Sequence, residues 1–358
     1  MTIRSRIRFV VAVIAGLGAC EHSAPFRPEA YGPTGPLGTG SPLRLTFNPG
    51  QDLDPAWLHD GSGVVYTGER RDRADRDRCL AFMPAGGGAI TRSVCRTSAA
   101  DDTLNVFEDA AFSANDSVVY VRASTERFLQ SIGPDAQQLV VAAAAAPNDA
   151  RVLQGIPFTA PWGTTYDALS HIAWLGPGRV AAVGERVTYP RACKTCPADT
   201  VRTGIGIVIV DFTSAAPVLA RLADGDSASS LAAAANGDTL YFTRDGDSRV
   251  YRHAFTSGLT DTLYDFVSGI ARDVSVANGK VAAVVGGAVS YAVDSVLGGS
   301  QPDHGGPVYL LVTGSAAAQI GDPAWRFRRP ALSPDGAHLV VAAWNVSASA
   351  DLWLFQLP

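Results

Sequence analysis

A short unit that recurs six times constrains this chain more than any other feature of its sequence. In its clearest copy, an apolar entry leads into a tight turn and then into two strand-like runs (PALSPDGAHLVVAAWNVSASADLWLFQLP, residues 330–358). The turn consists of Ser333, Pro334, Asp335 and Gly336. Pro334 fixes φ near the value that a turn needs at its second position, and Gly336 accepts a positive φ without a Cβ clash. The unit therefore predicts strands joined in an antiparallel meander.

Weaker copies of this unit run through the rest of the chain. Each has a small or apolar pair, a turn with Gly, Asp or Asn, and then a run of β-forming residues. The copies cover Pro55–Gly68, Asp109–Arg122, His171–Gly184, Leu231–Arg244, Asp273–Val285 and Pro330–Trp344. Their turn residues are Gly61, Asp116, Gly178, Gly237, Gly279 and Gly336, which are 55, 62, 59, 42 and 57 residues apart. Repetition of strand-type units at this spacing is typical of a β-propeller.

The two ends of the repeat region complement each other. The last unit ends at Phe355–Pro358 without an outer strand, whereas Leu43–Phe47 is a spare strand-like run ahead of the first unit. Pairing the two would close a ring and remove an exposed sheet edge. We therefore expect an all-β, six-bladed β-propeller over residues 42–358, with the N-terminal strand closing the last blade. Only in the second unit does an Ala-rich run, Gln138–Ala146, leave a helical turn as an alternative.

Composition fits a packed globular domain and excludes one class of partner. Hydrophobic residues make up 47% of the chain and charged residues 18%, which is not the balance of a disordered protein. The formal net charge is −5, and the first 19 residues carry three Arg and no acidic residue. The remainder is therefore more acidic still. We expect no nucleic-acid partner, because such proteins need a basic surface.

The N-terminus has the pattern of a lipoprotein signal peptide over residues 1–19. Three Arg residues precede the apolar run Phe9–Leu17, which is too short to span a membrane comfortably. Leu17–Cys20 (LGAC) resembles the lipobox of bacterial lipoproteins, in which the Cys20 thiol is acylated and becomes the new N-terminus. An ordinary secretory peptide with a chance Cys is the alternative.

An acylated Cys20 would anchor the protein to a membrane without spanning it. Glu21 stands where Asp acts as the inner-membrane retention signal of enteric bacteria, so we expect an outer-membrane location, facing either the periplasm or the exterior. Residues 20–41 are rich in Pro and Gly and lack apolar periodicity. They predict a flexible tether between the lipid and the propeller.

Four cysteines remain after Cys20. In an exported protein an even number of cysteines indicates disulfides. Cys79 and Cys95 flank one apparent hairpin, and Cys193 and Cys196 lie together in a long loop. We favour the pairs 79–95 and 193–196. A redox or zinc role for the second pair stays open, although neither a βαβ context nor further ligands are nearby.

No residue pattern points to a particular reaction. Asp303–Pro307 (DHGGP) resembles the oxyanion loop of prolyl-oligopeptidase-type hydrolases, but no G-x-S-x-G nucleophile motif occurs in the chain. Asp224–Asp226 and Asp245–Asp247 are too short for calcium loops and fit turns better. The six histidines are scattered and form no H-E-x-x-H motif. We therefore expect no catalytic, cofactor-binding or metal-binding residue.

The pattern ALSPDGAHLVV…DLWLF, with weaker copies at PAWLHDGSGVVYTG and AAFSANDSVVYV, resembles the repeat of the TolB-type β-propeller family. RLTFNPGQDLDPAW (residues 44–57) is similar to the blade-to-blade junction of that family. The resemblance covers about residues 42–358. It implies a six-bladed, non-enzymatic, envelope-associated domain that makes protein contacts.

These observations predict a monomeric, non-catalytic envelope lipoprotein without cofactors, whose propeller presents loops to an envelope protein. The loops Arg70–Arg78, Tyr189–Val201 and Asp294–Gly306 are the candidate contact segments. Two alternatives stay open. One is a propeller that binds a carbohydrate or another small ligand, which Trp and Tyr clustered at one channel mouth would favour. The other is a propeller hydrolase or lyase with its site in the central channel.

Overall fold

The computed structural model describes residues 42–47, 51–69, 78–95, 103–115, 117–126, 137–188, 201–286, 292–293, 305–322, 325–344 and 350–358. All of these fall within one compact unit, Pro36–Pro358. The signal peptide, Cys20, the tether, the Cys193–Cys196 pair and most of the three candidate contact loops lie outside the described residues. Within the described part of the chain, no helix has the length and apolar composition needed to cross a membrane.

The described strands form six antiparallel blades, numbered here in chain order. Strand β1 (Leu43–Arg44) precedes blade 1, which contains β2 (Asp52–Trp57), β3 (Gly63–Glu69), β4 (Arg78–Pro84) and β5 (Arg92–Val94). Blade 2 contains β6 (Thr103–Phe112), β7 (Ser117–Glu126), β8 (Gln137–Ala143) and β9 (Arg151–Ile156). A small hairpin of β10 (Phe158–Thr159) and β11 (Thr165–Tyr166) leads to blade 3, which contains β12 (Ala168–Gly176), β13 (Arg179–Thr188), β14 (Val201–Asp211) and β15 (Val218–Leu222).

The second half of the ring repeats this arrangement after a 3-10 turn at Ala223–Gly225. Blade 4 contains β16 (Ala228–Ala233), β17 (Thr239–Arg244), β18 (Arg249–Ala254) and β19 (Leu259–Asp265). Blade 5 contains β20 (Ile270–Ala277), β21 (Lys280–Gly286), β23 (Val308–Val312) and β24 (Ala318–Ile320), and the short β22 (Ala292–Val293) pairs with β14 of blade 3. Blade 6 contains β25 (Arg326–Leu332), β26 (His338–Trp344) and β27 (Asp351–Gln356).

The first strand of every blade faces the centre. These strands contact one another in a closed ring, β2, β6, β12, β16, β20 and β25, and back to β2. The prediction of an all-β, six-bladed propeller is therefore confirmed. The helical turn left open in the second unit is wrong, because Gln137–Ala143 is a strand whose Leu139 and Val140 are buried between blades.

The hydrophobic core is divided among the six interfaces between neighbouring blades. Side chains alternate between the two faces of a strand. Val64 therefore packs toward blade 6, with Val340 and Leu352, while the next residue, Val65, packs toward blade 2, with Val118. A strand that is buried on both faces needs consecutive apolar residues, and the sequence supplies these in the second strand of each blade. This packing holds the inner strands at a fixed distance around the channel.

The first described strand pairs with the last blade, and a disulfide lies within blade 1. Strand β1 pairs antiparallel with β27, so that Leu43 lies opposite Leu354. Arg44 Nη2 donates to Asp351 Oδ2 at 2.6 Å beside this pair. In blade 1, a disulfide joins Cys79 to Cys95, with a Cα–Cα distance of 5.0 Å.

Candidate functional site

Each innermost strand is interrupted by a β-bulge at a similar level of the channel. The register with the second strand shifts between Leu53 and Ala56, Glu108 and Ala111, Ser170 and Ala173, Ala228 and Ser230, Arg272 and Val274, and Arg328 and Ala331. A bulge re-aims a side chain that would otherwise follow the alternation of the strand. In five of the six blades the bulge holds a charged or ionisable residue: Asp54, Asp109, His171, Asp273 and Arg329, which we call the bulge cluster.

The backbone of the bulge cluster is strained. All five residues have a positive φ, between 29° and 54°. For residues with a Cβ this conformation costs about 1–2 kcal/mol each, and glycine would avoid most of that cost. Strain of this kind concentrates at functional sites, where a side chain is retained for its function although the backbone conformation favours glycine. The bulge cluster is therefore the leading candidate for a site.

Arg329 lies at the centre of the bulge cluster. Its Nη1 donates to Asp109 Oδ1 at 2.7 Å, and its Nε lies 3.1 Å from Asp54 Oδ1 and 4.0 Å from Asp273 Oδ1. Burial alone would lower the pKa of Arg329, but the three carboxylates around it raise that pKa above its usual value. The guanidinium therefore keeps its charge in a buried position.

Asp54 and Asp109 respond to this environment in opposite directions. Burial raises the pKa of Asp54 and the nearby charge of Asp109 raises it further, so that the lowering effect of Arg329 is outweighed. Burial would also raise the pKa of Asp109, but Arg329, His171 and the backbone N–H of His171, 3.1 Å from Asp109 Oδ1, bring it below its usual value. Of these two carboxyl groups, Asp54 therefore takes up a proton more readily.

Asp273 connects His171 to the centre of the cluster. His171 Nε2 lies 3.1 Å from Asp273 Oδ1, and Asp273 Oδ2 accepts the backbone N–H of Arg329 at 3.0 Å. Burial would raise the pKa of Asp273, but the hydrogen bond with His171 and the charges of Arg328 and Arg329 hold it well below its usual range. Asp273 is therefore an ionised carboxylate that fixes the imidazole ring.

A second set of buried polar groups lies behind His171. Its Nδ1 is 3.1 Å from Ser170 Oγ, and that hydroxyl donates to Glu185 Oε1 at 2.6 Å. Arg202 Nη1 lies 3.9 Å from Glu185 Oε2 and 3.8 Å from Glu108 Oε2. The imidazole of His171 is thus held at both nitrogens. The network of charged side chains continues past the bulges, toward the end of the inner strands that is opposite the hairpin turns.

A cavity of about 720 Å³ begins at the bulge cluster and follows the inner strands toward their hairpin turns. All five cluster residues line one end of it, and turn residues such as Asn115 and Pro334 line the other. Small apolar side chains between the two ends leave the space open; they include Ala56, Ala111, Ala173, Ala232, Ala233 and Ala331. The volume is in the range of pockets for small molecules.

Of the four repeat-turn residues predicted from the sequence, Pro334 lines the turn end of this cavity. Gly336, with φ 69°, closes the predicted turn through its N–H to Ser333 O at 2.8 Å, and Ser333 Oγ accepts the N–H of His338 at 2.9 Å. Asp335 Oδ1 accepts the N–H of Ala337 at 2.9 Å, and Pro334 lines the cavity. These residues form a structural turn beside the site.

Sequence reasoning missed the bulge cluster, although the repeat contained a signal for it. Asp54, Asp109, His171 and Arg329 each lie seven residues before the turn residue of their own copy, and Asp273 lies six residues before its turn residue. The histidines are scattered in the sequence, but the fold brings one of them, His171, to Asp273. Among the residues that the structure describes, no group of three or more His, Cys, Asp or Glu side chains could hold a metal ion.

The fold and the site together define a six-bladed β-propeller with a buried charged cluster at one end of its central channel. No protein-family model and no curated protein sequence matches the chain. Solved structures do match. They include XC5397 from Xanthomonas campestris, described as a gluconolactonase, at 14% identity and TM-score 0.57, covering 90% of this chain and 91% of that one.

Two further matches have the same architecture. A structure described as a putative gluconolactonase matches at 12% identity and TM-score 0.51, covering 88% of this chain and 92% of that one. A putative TolB from Agrobacterium tumefaciens matches at 13% identity and TM-score 0.50, covering 88% and 97%. At these identities the similarity establishes the shared fold.

These matches correct one expectation from the sequence. The resemblance to the TolB-type repeat implied a protein that is not an enzyme, but this propeller architecture is equally that of structures described as gluconolactonases. TolB is therefore only one of the possible families, and its implied non-enzymatic role does not carry over to this chain.

Proposed function

We propose that this protein is a hydrolase that acts on an ester or lactone bond of a small molecule in the central channel. The observation that carries the proposal is the bulge cluster, in which five blades each contribute one strained, ionisable side chain to the same end of the cavity. A purely structural ring would not need side chains at these positions, because glycine would relieve the backbone strain.

The cluster holds the groups that such a reaction needs. Ester hydrolysis requires a base that removes a proton from water and a positive charge beside the oxygen that becomes negative. Asp54 has a raised pKa and lines the cavity, so it accepts a proton more readily than an ordinary carboxylate does. Arg329 supplies the positive charge, and Asp109 and Asp273 keep its guanidinium in place.

In the proposed reaction, the Asp54 carboxylate takes a proton from water while the water oxygen bonds to the carbonyl carbon. The carbonyl oxygen becomes an oxyanion beside Arg329. When the carbonyl re-forms, the bond to the alkoxide oxygen breaks and Asp54 returns its proton to that oxygen. The products are a carboxylic acid and an alcohol. The gluconolactonases among the similar structures support this class of reaction but do not identify the substrate.

Activity of the purified full chain toward a panel of p-nitrophenyl esters and aliphatic and sugar lactones tests the proposal. We expect hydrolysis of at least one member and a loss of kcat/KM of about 100-fold in Asp54→Asn, because a general acid–base contributes roughly that factor or more. Asp60→Asn, in the exposed hairpin turn of the same blade, is the matched control and should keep the wild-type rate. Hydrolysis that is absent, or that Asp54→Asn leaves intact, contradicts the proposal.

We further propose a cellular location on the basis of the sequence. Acylation of Cys20 would hold the propeller at the outer membrane through the tether of residues 20–41, as a monomer. The lipobox-like residues before Cys20 support this. Cys20→Ala should move the protein from the membrane fraction to the soluble fraction and abolish incorporation of labelled palmitate. Membrane association that survives this substitution would argue against the anchor.

Three other expectations stay proposals. The pairing of β1 with β27 supports a role of the N-terminal strand in closing the last blade. Cys193 and Cys196 would form a second disulfide. The loops Arg70–Arg78, Tyr189–Val201 and Asp294–Gly306 would face an envelope protein, which crosslinking of intact cells followed by mass spectrometry would identify.

A further inference from the structure

The wall of the cavity is aromatic on one half of the ring and aliphatic on the other. The residue three positions after the bulge residue is aromatic in blades 1, 2 and 3, namely Trp57, Phe112 and Trp174. The corresponding residues of blades 4, 5 and 6, counted from Ser229, Asp273 and Arg329, are Ala232, Val276 and Leu332, and all six line the cavity. We call the first three the aromatic half-wall. A ligand in this channel meets flat rings on one side only.

Hydrogen bonds to neighbouring blades fix the two indole rings. Trp57 Nε1 donates to Ala331 O at 2.9 Å, and Trp174 Nε1 donates to Ala111 O at 2.9 Å. Because these bonds occupy the one polar atom of each side chain, the rings offer the ligand carbon surface. Phe112 is also supported from behind, by an edge-on contact with Phe82 at 6.1 Å between ring centroids. The aromatic half-wall is therefore preorganised for stacking.

The bulge cluster presents both hydrogen-bond acceptors and hydrogen-bond donors to the same cavity. Asp54, Asp109 and Asp273 supply carboxylate oxygens, and Arg329 supplies a guanidinium. A hydroxyl group can donate to the former and accept from the latter. A carboxylate ligand would be repelled by three acidic groups, and a simple cation would meet Arg329. An unsubstituted apolar ring would use none of the hydrogen-bonding groups of the cluster.

We propose that the ligand is a saturated ring with a hydroxylated rim, of the monosaccharide type, lying with an apolar face on the aromatic half-wall and its hydroxyl groups toward the bulge cluster. This deepens the proposed function, on which it rests, by naming the substrate class and by assigning Trp57 and Trp174 as specificity-determining residues. A cavity of about 720 Å³ accommodates one such ring together with a substituent.

Ligand-observed saturation-transfer NMR on the purified full chain tests this inference. The probes are glucose, galactose and N-acetylglucosamine, with cyclohexanol as a saturated ring that carries a single hydroxyl and benzyltrimethylammonium as a ring with a cation. We expect at least one sugar to bind with a Kd of about 1 mM or tighter, and neither of the other two to do so. Trp174→Leu should weaken that binding at least about 10-fold, whereas Trp174→Phe, which keeps an aromatic face, should weaken it less.

Trp325→Leu is the matched control, because Trp325 packs against Trp353, at 5.9 Å between ring centroids, and does not line the cavity. It should leave sugar binding unchanged. Trp57→Leu is the second variant if Trp174→Leu does not fold. Sugar binding that is absent, that both half-wall variants leave intact, or that is replaced by binding of the cationic ring overturns the inference.

The hydrolysis assay and the sugar-binding measurement, made on the same purified protein, distinguish failure of one proposal from failure of the other. If Asp54→Asn abolishes hydrolysis of a non-sugar ester while no sugar binds, the ligand class is wrong and the hydrolase proposal stands. If sugar binding depends on Trp174 while no ester or lactone is hydrolysed, the ligand class stands and the hydrolase proposal fails.

Discussion

The two ends of each inner strand are stabilised in different ways. At the turn end of blade 6, Ser333, Gly336 and His338 bond to one another within a few residues of chain. At the bulge end of the same strand, Arg329 contacts Asp109, which is 220 residues away, and its backbone N–H bonds to Asp273, 56 residues away. The turn is complete within one blade, whereas the bulge cluster exists only when several blades have assembled.

The turn can therefore change without affecting other blades, whereas the bulge cluster depends on several blades at once. A change in one turn alters only a few hydrogen bonds within one blade, and the tip of the turn, Pro334 and Asp335, is exposed to water. A change in the bulge cluster leaves buried charges of other blades without their partner, and such charges are expensive to bury alone. Substitutions at the bulge end should therefore have the larger effects, and their effects should depend on pH.

The largest effect should come from Arg329→Leu. This substitution removes the positive charge from among Asp54, Asp109 and Asp273 and should lower the free energy of unfolding at pH 7.5 by about 4 kcal/mol, the usual cost of removing one partner of a buried ion pair. Urea denaturation measures it. Arg221→Gln, which removes an exposed ion pair with Asp226 in blade 3, is the control and should leave the midpoint unchanged.

The same contrast explains what the sequence could and could not predict. The Ser333–Gly336 turn and the apolar second strands follow from local residue preferences, so six blades were predictable. Asp54 and Asp273 look like turn or strand-end residues in isolation, because Asp is common at such places. Their convergence depends on the closed ring, which pairs residues that are hundreds of positions apart. Aligning the six copies at their turns would have shown a polar residue six or seven positions before the turn in five of them. It would not have shown which of these side chains contact one another.

Asp273→Asn should have the next largest effect, with a defined pH dependence. Because the folded pKa of Asp273 lies below the ordinary value of 3.8, its ionised form stabilises the fold above that pH, and the contribution is lost as the pH falls below it. At pH 7 the substitution should cost about 3 kcal/mol, since His171 and Arg329 lose a charged partner. The difference between variant and wild type should shrink toward pH 3. A difference that stays constant from pH 7 to pH 3 would show that Asp273 acts through packing alone.

Asp351 is a buried carboxyl group outside the channel, and its contribution to stability should depend on pH in the opposite direction to that of Asp273. Burial raises its pKa to about 6 despite the ion pair with Arg44, so the folded protein binds this proton more tightly than the unfolded chain does. Its contribution to stability is fully present below the ordinary pKa of 3.8 and is lost as the pH rises through about 6.

Between pH 7.5 and pH 5, this group should therefore add about 1 kcal/mol to the free energy of unfolding. Asp351→Asn should flatten the stability profile over that interval, and Asp273→Asn should not. Urea titrations of both variants at four pH values compare the two carboxyl groups directly. A profile that keeps its slope in Asp351→Asn would assign that slope to other groups.

The smallest effect should come from the turn end, and it can be resolved with two glycines of the same conformation. Gly336 and Gly279 have φ values of 69° and 74°, so an Ala at either position should cost about 1 kcal/mol in backbone strain. A Cβ on Gly279 would meet no atom within 4 Å, whereas one on Gly336 would lie 3.1 Å from the Cβ of Asn278 in blade 5. Gly336→Ala should therefore be the more destabilising of the two, by a few tenths of a kcal/mol. Both variants should keep the pH profile of the wild type, because neither turn contacts the bulge cluster. If Gly336→Ala changed that profile as Arg329→Leu does, the two ends of the inner strands would be coupled through the strand itself, and the turn could no longer be treated as a local structure.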